Sequence, residues 1–158
     1  IVQIYVKSPL IWGIHVSANS NYHNIEELEN KTAAISRIGS GSQLMTYVNA
    51  DLLNWDKSKL NFEIIHTIDG AVTALQNKEA DYFMWEKFMT KPLVDQGVFR
   101  NIADCPTPWP CFVIAVTDEF LKNNDGSLPT ILNINLKLLK VCLKNSIKKN
   151  LTLQNGSI

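Results

Sequence analysis

The feature that most restricts the fold is one local order that occurs three times along the chain. A short apolar segment is followed by a turn and then by a segment whose apolar residues recur at helical spacing. Strands that alternate with helices in this way favour a mostly parallel open sheet with helices on both faces. The sequence therefore predicts an α/β domain. Its predicted strand and helix pairs are 32–38 with 42–53, 61–66 with 71–77, and 80–85 with 86–94.

Further apolar segments flank these units. The β-branched run at 1–6 and the apolar run at 10–16 predict two strands before them, and 98–102 and 112–116 predict two strands after them. The prolines within 106–110 exclude a helix or a central strand at that point. Pro92 is expected to disturb the end of the third helix.

Composition excludes several classes of protein. The chain carries 15 lysine and arginine residues against 15 aspartate and glutamate residues, so it has no overall basic field to attract nucleic acid. Hydrophobic residues make up 46% of the chain, which is typical of a globular protein. No apolar run approaches the roughly 20 residues that a membrane-spanning helix needs.

The glycine- and serine-rich turn Gly39–Ser42 is the clearest candidate binding feature. Glycine lets the backbone approach a ligand closely, and the following helix presents unpaired N–H groups with a partial positive charge. Ser40 or Ser42 can cap that helix, and Arg37 can add a charge-assisted hydrogen bond. This combination suits a carboxylate, phosphate or sulfonate. The alternative is an ordinary tight turn with a serine cap.

Two further loops are expected at the same edge of the sheet, because the carboxyl ends of parallel strands meet there. One contains Asp69 and Gly70, with Asp69 predicted as the helix N-cap. The other contains Trp85, which could stack on a ligand, and Glu86, which could accept hydrogen bonds from it. Core packing is the alternative reading of Trp85.

Catalysis has little support in the sequence. His15, His23 and His66 are scattered, and none stands in a recognisable catalytic or zinc-binding spacing. Cys105, Cys111 and Cys142 form neither a metal framework nor a complete set of disulfides, so free thiols are expected. We expect no metal, no cofactor and no enzymatic activity.

The C-terminal part of the chain has a different composition. Its lysines at 137, 140, 144 and 148 stand three or four residues apart, which predicts a helix with one basic side. A solvated surface helix is one interpretation. A helix that binds a membrane surface or a protein partner is the other.

Several long segments follow one another in a recognisable order. They are YVKSPLIWG at 5–13, ISRIGSGSQLM at 35–45, DGA at 69–71, EADYFMWEKFMTKPLVD at 79–95 and PWPCF at 108–112. This series resembles the type 2 periplasmic-binding-protein fold, and within it the ABC-transporter substrate-binding-like proteins of fungi and bacteria. These proteins are related to the binding proteins for nitrate, sulfonate, taurine and thiamine precursors.

This resemblance implies a bilobal protein that closes on a small anionic ligand, here with only one lobe of the cleft and with a missing second lobe. It implies a hinge strand at 1–10, an α/β ligand-binding lobe at 11–116, and a return segment with the lysine-rich helix at 117–158. A membrane transporter is a possible partner. The compartment stays open, since fungal relatives would be cytoplasmic and bacterial ones periplasmic or secreted. The candidate ligand-binding residues are Ser8 and Trp12 near the cleft mouth, and Arg37, Gly39, Ser40, Gly41, Ser42, Gln43, Asp69, Gly70, Trp85 and Glu86.

Two other functions stay open beside solute binding. The first is an enzyme of the thiamine-pyrimidine synthase type, which shares this fold but whose cysteine-rich motif is not visible here. The second is a regulatory module that docks a partner through the lysine-rich tail.

Overall fold

The computed structural model describes residues 1–124 together with 126, 130 and 133, so the predicted lysine-rich helix lies outside the described residues. The chain divides into two compact units. The larger unit is Val6–Cys111, and the smaller consists of Ile1–Tyr5 with the chain from Phe112 onward. Within the described residues, no helix is long and apolar enough to cross a membrane.

The elements follow the predicted alternation. The strands are β1 Gln3–Val6, β2 Ile11–Ser17, β3 Thr32–Ile35, β4 Asn61–Ile64, β5 Tyr82–Glu86, β6 Phe99–Pro106 and β7 Phe112–Ile114. The α-helices are α1 Gly41–Leu52, α2 Ile68–Gln76, α3 Lys87–Asp95 and α4 Asp118–Asn123, and short 3-10 turns cover Ile25–Leu28 and Lys57–Lys59.

The larger unit contains a five-stranded sheet in the order β4-β3-β5-β2-β6. Strand β3 is parallel to both β4 and β5. Strand β2 is antiparallel to both β5 and β6, so β6 points the same way as β3, β4 and β5. The prediction of a mostly parallel open sheet is thus confirmed, with β2 as the single reversed strand of this sheet.

Alternate residues of the strands supply two separate cores, one on each face. Met84 of β5 packs in one core with Met45 of α1. Its neighbour Phe83 packs in the other core with Ala71 of α2 and Leu93 of α3. The predicted placement of helices on both faces is confirmed, and it follows from the period of two along a strand.

Several predicted boundaries move because the chain turns earlier than its apolar pattern ends. Strand β3 stops at Ile35, since the N–H of Ser36 donates to Ser42 Oγ at 3.0 Å. Strand β4 stops at Ile64, two residues before His66, which has a φ of 59°. Strand β6 is longer than predicted and reaches Pro106, which an edge strand tolerates. Helix α3 continues past Pro92 to its end at Asp95.

The segments that enter and leave the sheet are joined to each other. Leu10 precedes β2, and its carbonyl oxygen accepts from the N–H of Thr107 at 2.9 Å. In return, the N–H of Leu10 donates to Thr107 Oγ1 at 3.0 Å. A further bond of 2.8 Å runs from the N–H of Cys111 to the carbonyl oxygen of Ser8. The two ends of the larger unit are therefore fixed side by side.

The smaller unit contains the other predicted strands. Strands β1 and β7 form a two-stranded sheet, and the N–H of Val2 donates to the carbonyl oxygen of Ile114 at 2.9 Å. Helix α4 follows, with Thr117 as its N-cap. The strands expected at both ends of the lobe are thus present.

Candidate functional site

Three helices begin at one edge of the five-stranded sheet. Strands β3, β4 and β5 are parallel, and each is followed by a helix, so the N-termini of α1, α2 and α3 lie at their common carboxyl edge. Because β2 runs the opposite way, its first residues lie at the same edge, where Trp12 pairs with Glu86. The predicted convergence of the three loops at this edge follows from that topology.

The turn before α1 is held by its own side chains. Ser40 is the N-cap, and its Oγ accepts from the N–H of Gln43 at 3.4 Å. Ser42 Oγ lies 2.9 Å from Ser40 Oγ and accepts from the N–H of Ser36. Both serines are buried. Their hydroxyls therefore shape the turn, and Ser40 caps the helix, as the sequence predicted for Ser40 or Ser42.

Gly39 and Gln43 close the same turn. Gly39 has a φ of 74°, a conformation that favours glycine. Its N–H donates to Gln43 Oε1 at 2.7 Å. A glutamine three residues after a serine N-cap is the pattern of a capping box. Gln43 thus stabilises the loop through its side chain.

The first backbone N–H groups of α1 stay available. Those of Gly41 and Ser42 have no hydrogen-bond partner among the residues that the structure describes. No acidic residue stands in the first turn of α1. Such an N-terminus carries a partial positive charge, and Gly41 is exposed at its start.

The start of α2 differs from the prediction. Thr67 is the N-cap, and its hydroxyl accepts from the N–H of Gly70 at 3.1 Å, so the prediction of Asp69 as N-cap is wrong. The N-cap lies two residues earlier than predicted, directly after His66, and the helix begins at Ile68. Asp69 lies exposed in the first turn, where its negative charge offsets the positive end of the helix.

Gly70 has a packing role. A Cβ on this residue would stand 2.0 Å from the carbonyl oxygen of Ile65. No side chain fits there, because the helix lies directly against the preceding strand end. This explains the glycine without any contact to a ligand.

Glu86 is already engaged by the protein. It is the N-cap of α3, and its carboxylate accepts from the N–H of Phe88 at 3.0 Å and from that of Met89 at 2.9 Å. The predicted role of Glu86 as an acceptor for ligand hydrogen bonds therefore competes with this cap. The N-terminus of α3 is neutralised by its own side chain.

Two tryptophans lie at the edge. The rings of Trp12 and Trp85 meet edge to face, with centroids 6.2 Å apart. Trp85 also stacks on Phe83 at 5.4 Å, so the core-packing alternative holds for part of its ring. The indole N–H groups of both tryptophans are buried and have no partner in the described part of the chain. Trp12 also touches Gly41, since a Cβ there would stand 3.0 Å from the indole Cη2.

Arg37 and Ser8 are both exposed. The Arg37 guanidinium donates to the neighbouring carbonyl of Ile38 at 3.4 Å, so its charge is free to reach a ligand beside the turn. Ser8 is tied by its carbonyl to Cys111 at the end of the unit. The structure gives Ser8 no bond to the turn.

His66 is a residue at this edge that the sequence did not single out. Its N–H donates to the carbonyl oxygen of Ser36 at 3.2 Å, and the N–H of Thr67 donates across it to Ile65 at 2.6 Å. Residues 65–67 therefore form a tight γ-turn with His66 at its centre. The φ of 59° at His66 is strained for a residue with a side chain. The sequence gives no local indication of this turn, because histidine is not among the residues that dominate turns.

Two concavities lie elsewhere on the larger unit. One of about 460 Å³ lies at the opposite edge and includes Ser17, Tyr22 and Asp81 in its lining. Another of about 260 Å³ lies between α3, β2 and β6 and includes His15 and Asn101. Among the described residues, no group of three or more histidine, cysteine, aspartate or glutamate side chains could hold a metal ion.

An open sheet with one reversed strand, helices on both faces and a shared helix-start edge is the architecture of one lobe of a periplasmic-binding-protein fold. The structure of the Candida albicans CA3427 gene product, described as defining a new family with that generic fold, superposes with a TM-score of 0.77 at 26% identity. The match covers 94% of this chain and 50% of that chain. The model of the Ca3427-like periplasmic binding proteins matches residues 12–105, and the chain belongs to that family.

More distant structures share the fold. A putative periplasmic sulfonate-binding protein SsuA from Methylobacillus flagellatus has a TM-score of 0.61 at 18% identity, over 85% of this chain and 42% of that chain. The alkanesulfonate-binding protein SsuA from Xanthomonas axonopodis pv. citri, bound to MOPS, has a TM-score of 0.64 at 14% identity, over 95% and 55%. The chain spans about half the length of these proteins. None of the curated proteins matches it.

Proposed function

We propose that this chain forms one lobe of a solute-binding protein, and that it takes a small anion such as a sulfonate or phosphate at the N-terminus of α1. A second lobe would complete the cleft and close on the ligand. The single observation that carries the anion assignment is the difference among the three helix starts at the edge.

That difference is electrostatic. Helix α3 starts at the carboxylate of Glu86, and α2 carries Asp69 in its first turn. Helix α1 has no acidic residue in its first turn and keeps two free N–H groups, those of Gly41 and Ser42. An external anion is therefore favoured at α1 and disfavoured at the other two starts.

The surroundings of α1 suit an anion with an apolar substituent. Trp12 lies against Gly41 and supplies an aromatic wall beside the N–H groups. Arg37 supplies an exposed cation just before the turn. An organic sulfonate or phosphate combines these two requirements in one molecule.

The relatives are consistent with binding. The family is one of periplasmic binding proteins, and two of the structures that share its fold are named as sulfonate-binding proteins. For this chain, the ligand, the closing second lobe and a transporter partner belong to the proposal.

The enzyme alternative gains no support from the described residues. A nucleophilic cysteine needs a lowered pKa, whereas burial raises the pKa of the Cys105 thiol to about 11. The regulatory alternative rests on the lysine-rich tail, which lies outside the described residues.

Titration calorimetry of the full-length protein tests the proposal. Methanesulfonate, ethanesulfonate and phosphate should release or absorb heat saturably, and neutral dimethyl sulfone should bind at least about tenfold more weakly. Heat from dimethyl sulfone alone would contradict the anion assignment.

Arg37→Ala sharpens the same test. It should lower the affinity for ethanesulfonate by about 0.5–1 kcal/mol, since the guanidinium is exposed and screened by solvent. Lys59→Ala is the matched control, because Lys59 precedes β4 and so lies at the opposite edge. An equal loss in both variants would mean that general charge, rather than Arg37, attracts the ligand.

A further inference from the structure

The concavity of about 260 Å³ lies on the sheet face that α3 covers, and it is separate from the turn before α1. Strands β2 and β6 form its floor and α3 forms its wall. Its lining consists of His15, Lys87, Phe88, Lys91, Val94, Asp95 and Asn101.

Two buried polar atoms on the floor lack partners. His15 is 1% exposed, and its Nδ1 has no hydrogen-bond partner within the described residues. The same is true of Asn101 Oδ1, although Asn101 Nδ2 donates to Asp104 at 2.9 Å. Leaving a buried polar atom unpaired is energetically unfavourable, so such atoms normally have a partner.

The hydrogen bonds around His15 indicate whether the missing partner of Nδ1 must be a donor or an acceptor. His15 Nε2 lies 2.7 Å from Thr90 Oγ1, which also lies within bonding distance of the carbonyl oxygens of Glu86 and Lys87. A threonine inside a helix donates its hydroxyl to such a carbonyl. We assign that direction to Thr90, so that its oxygen accepts from the N–H at His15 Nε2 and His15 Nδ1 is left as an acceptor. Both unpaired atoms therefore require a donor.

Gly13 brings the two side chains together. A Cβ on Gly13 would stand 2.6 Å from His15 Nε2 and 2.9 Å from Asn101 Oδ1. Any other residue at this position would collide with both side chains, which line the pocket. The glycine thus preserves a shared polar floor between β2 and β6.

The pocket carries no net charge. Lys87 pairs with Asp104, and Lys91 pairs with Asp95 at 2.6 Å. Burial lowers the pKa of His15 to about 4, so its ring is uncharged at neutral pH. Phe88 and Val94 add apolar walls. An uncharged ligand fits these surroundings better than an ion does.

We propose that this pocket is a second binding site, for an uncharged molecule of about one ring that carries a hydroxyl or N–H donor toward His15 and Asn101. An apolar cavity of about 150 Å³ is large enough for benzene, so 260 Å³ admits a ring with a polar substituent. This site does not depend on the proposed anion site, because it shares neither α1 nor its turn.

Phenol is the probe, and toluene is its control without a donor. In the full-length protein, titration with phenol should shift the backbone amide resonances of 87–95 and 101 saturably, together with the side-chain nitrogen resonance of His15 Nδ1. Toluene should bind at least about tenfold more weakly, which corresponds to one hydrogen bond of about 1.4 kcal/mol.

Two variants complete the test. Asn101→Leu keeps the size of the side chain but removes the acceptor, and it should reduce phenol binding about tenfold while sparing toluene. Val94→Phe fills the pocket from α3 and should abolish binding of both probes. It provides an independent test of the pocket if Asn101→Leu does not fold. Equal binding of phenol and toluene, or the absence of saturable shifts at these residues, would overturn the proposal and leave a pocket that holds water only.

Discussion

The indole of Trp12 lies over Gly41, so closely that a Cβ on Gly41 would stand 3.0 Å from Cη2 and 3.3 Å from Cζ2 of the ring. The side chain at position 41 therefore sets the distance between the aromatic wall and the first N–H groups of α1. A small displacement of Trp12 would change the width of the candidate anion site without altering the fold.

Gly41→Val is expected to weaken anion binding more than it weakens the fold. The valine would push the Trp12 ring aside, since the contact is tighter than packed atoms normally allow. Calorimetry with ethanesulfonate should show a loss of about tenfold or more, while the free energy of unfolding in urea falls by about 1 kcal/mol. A loss in proportion to stability would instead make Gly41 a purely structural residue.

Gly70→Ala is expected to destabilise the protein through crowding. Its Cβ would meet the backbone oxygen of Ile65 at 2.0 Å, and backbone cannot rotate away as a side chain does. We expect a loss of about 3 kcal/mol in the free energy of unfolding, measured by urea denaturation.

Gly97→Ala is the matched control for that measurement. Gly97 has a φ of 70° but nothing within 4 Å of its absent Cβ, so the alanine there costs only backbone strain of about 1–2 kcal/mol. If both variants lost the same stability, the close approach of Gly70 to Ile65 would not be the cause.

Glu86→Gln is expected to strengthen anion binding while slightly weakening α3. The carboxylate receives the N–H groups of Phe88 and Met89, and its charge lies at the same edge as the candidate site. Removing the charge should raise ethanesulfonate affinity about two- to fivefold and reduce stability by about 0.5–1 kcal/mol.

Asp95→Asn is the control for Glu86→Gln, since it removes a negative charge from the other end of α3. Calorimetry should find its affinity unchanged. An equal increase in the two variants would point to net charge rather than to the position of Glu86.

Stability is expected to fall in acid because of His15. Burial lowers the pKa of His15 from 6.5 to about 4. Between pH 6.5 and pH 4, His15 is therefore protonated in the unfolded chain but mostly neutral in the folded protein, which favours unfolding. The stabilisation is complete above pH 6.5 and is lost as the pH falls toward 4. Over that window the loss amounts to about 2–3 kcal/mol. The nearby charge of Asp104 raises the pKa of His15 and that of Lys87 lowers it, and Lys91 and Asp95 also line this pocket.

Urea denaturation of variants between pH 7 and pH 4 isolates the contribution of His15 to the pH dependence of the free energy of unfolding. His15→Gln should remove the part of the pH dependence that belongs to the histidine, because glutamine does not titrate. His23→Gln, at an exposed position, should leave the dependence as it is. A steep pH dependence that persists in His15→Gln would assign it to the carboxylates.

Much of the fold could be predicted because its signals are local. The period of the apolar residues in β3–α1 and β5–α3, with the turn Gly39–Ser42 between strand and helix, indicates the α/β order. The common edge of the loops then follows from parallel strands. The reversed direction of β2 could not be predicted, since Ile11 pairs with Pro106, far along the chain, and an apolar run is the same in either direction.

The details of the site depended on choices that sequence leaves open. Thr67 and Asp69 are both good N-cap residues, and the strained backbone at His66 decides for Thr67. A carboxylate such as Glu86 can face a ligand or cap its own helix. The pairing of His15 with Thr90 joins residues of different elements, so only the tertiary structure reveals it.

The paired ends of the larger unit have a consequence for how such a lobe can be transplanted. Leu10 and Thr107 exchange two hydrogen bonds, so the chain enters and leaves the five-stranded sheet and its three helices at the same place. A segment with adjacent ends can be spliced into a surface loop of an unrelated host without stretching that loop. Residues 10–107 can therefore be inserted as one unit into another protein. In a fluorescent host protein, ligand binding at the α1 turn could then change the fluorescence signal.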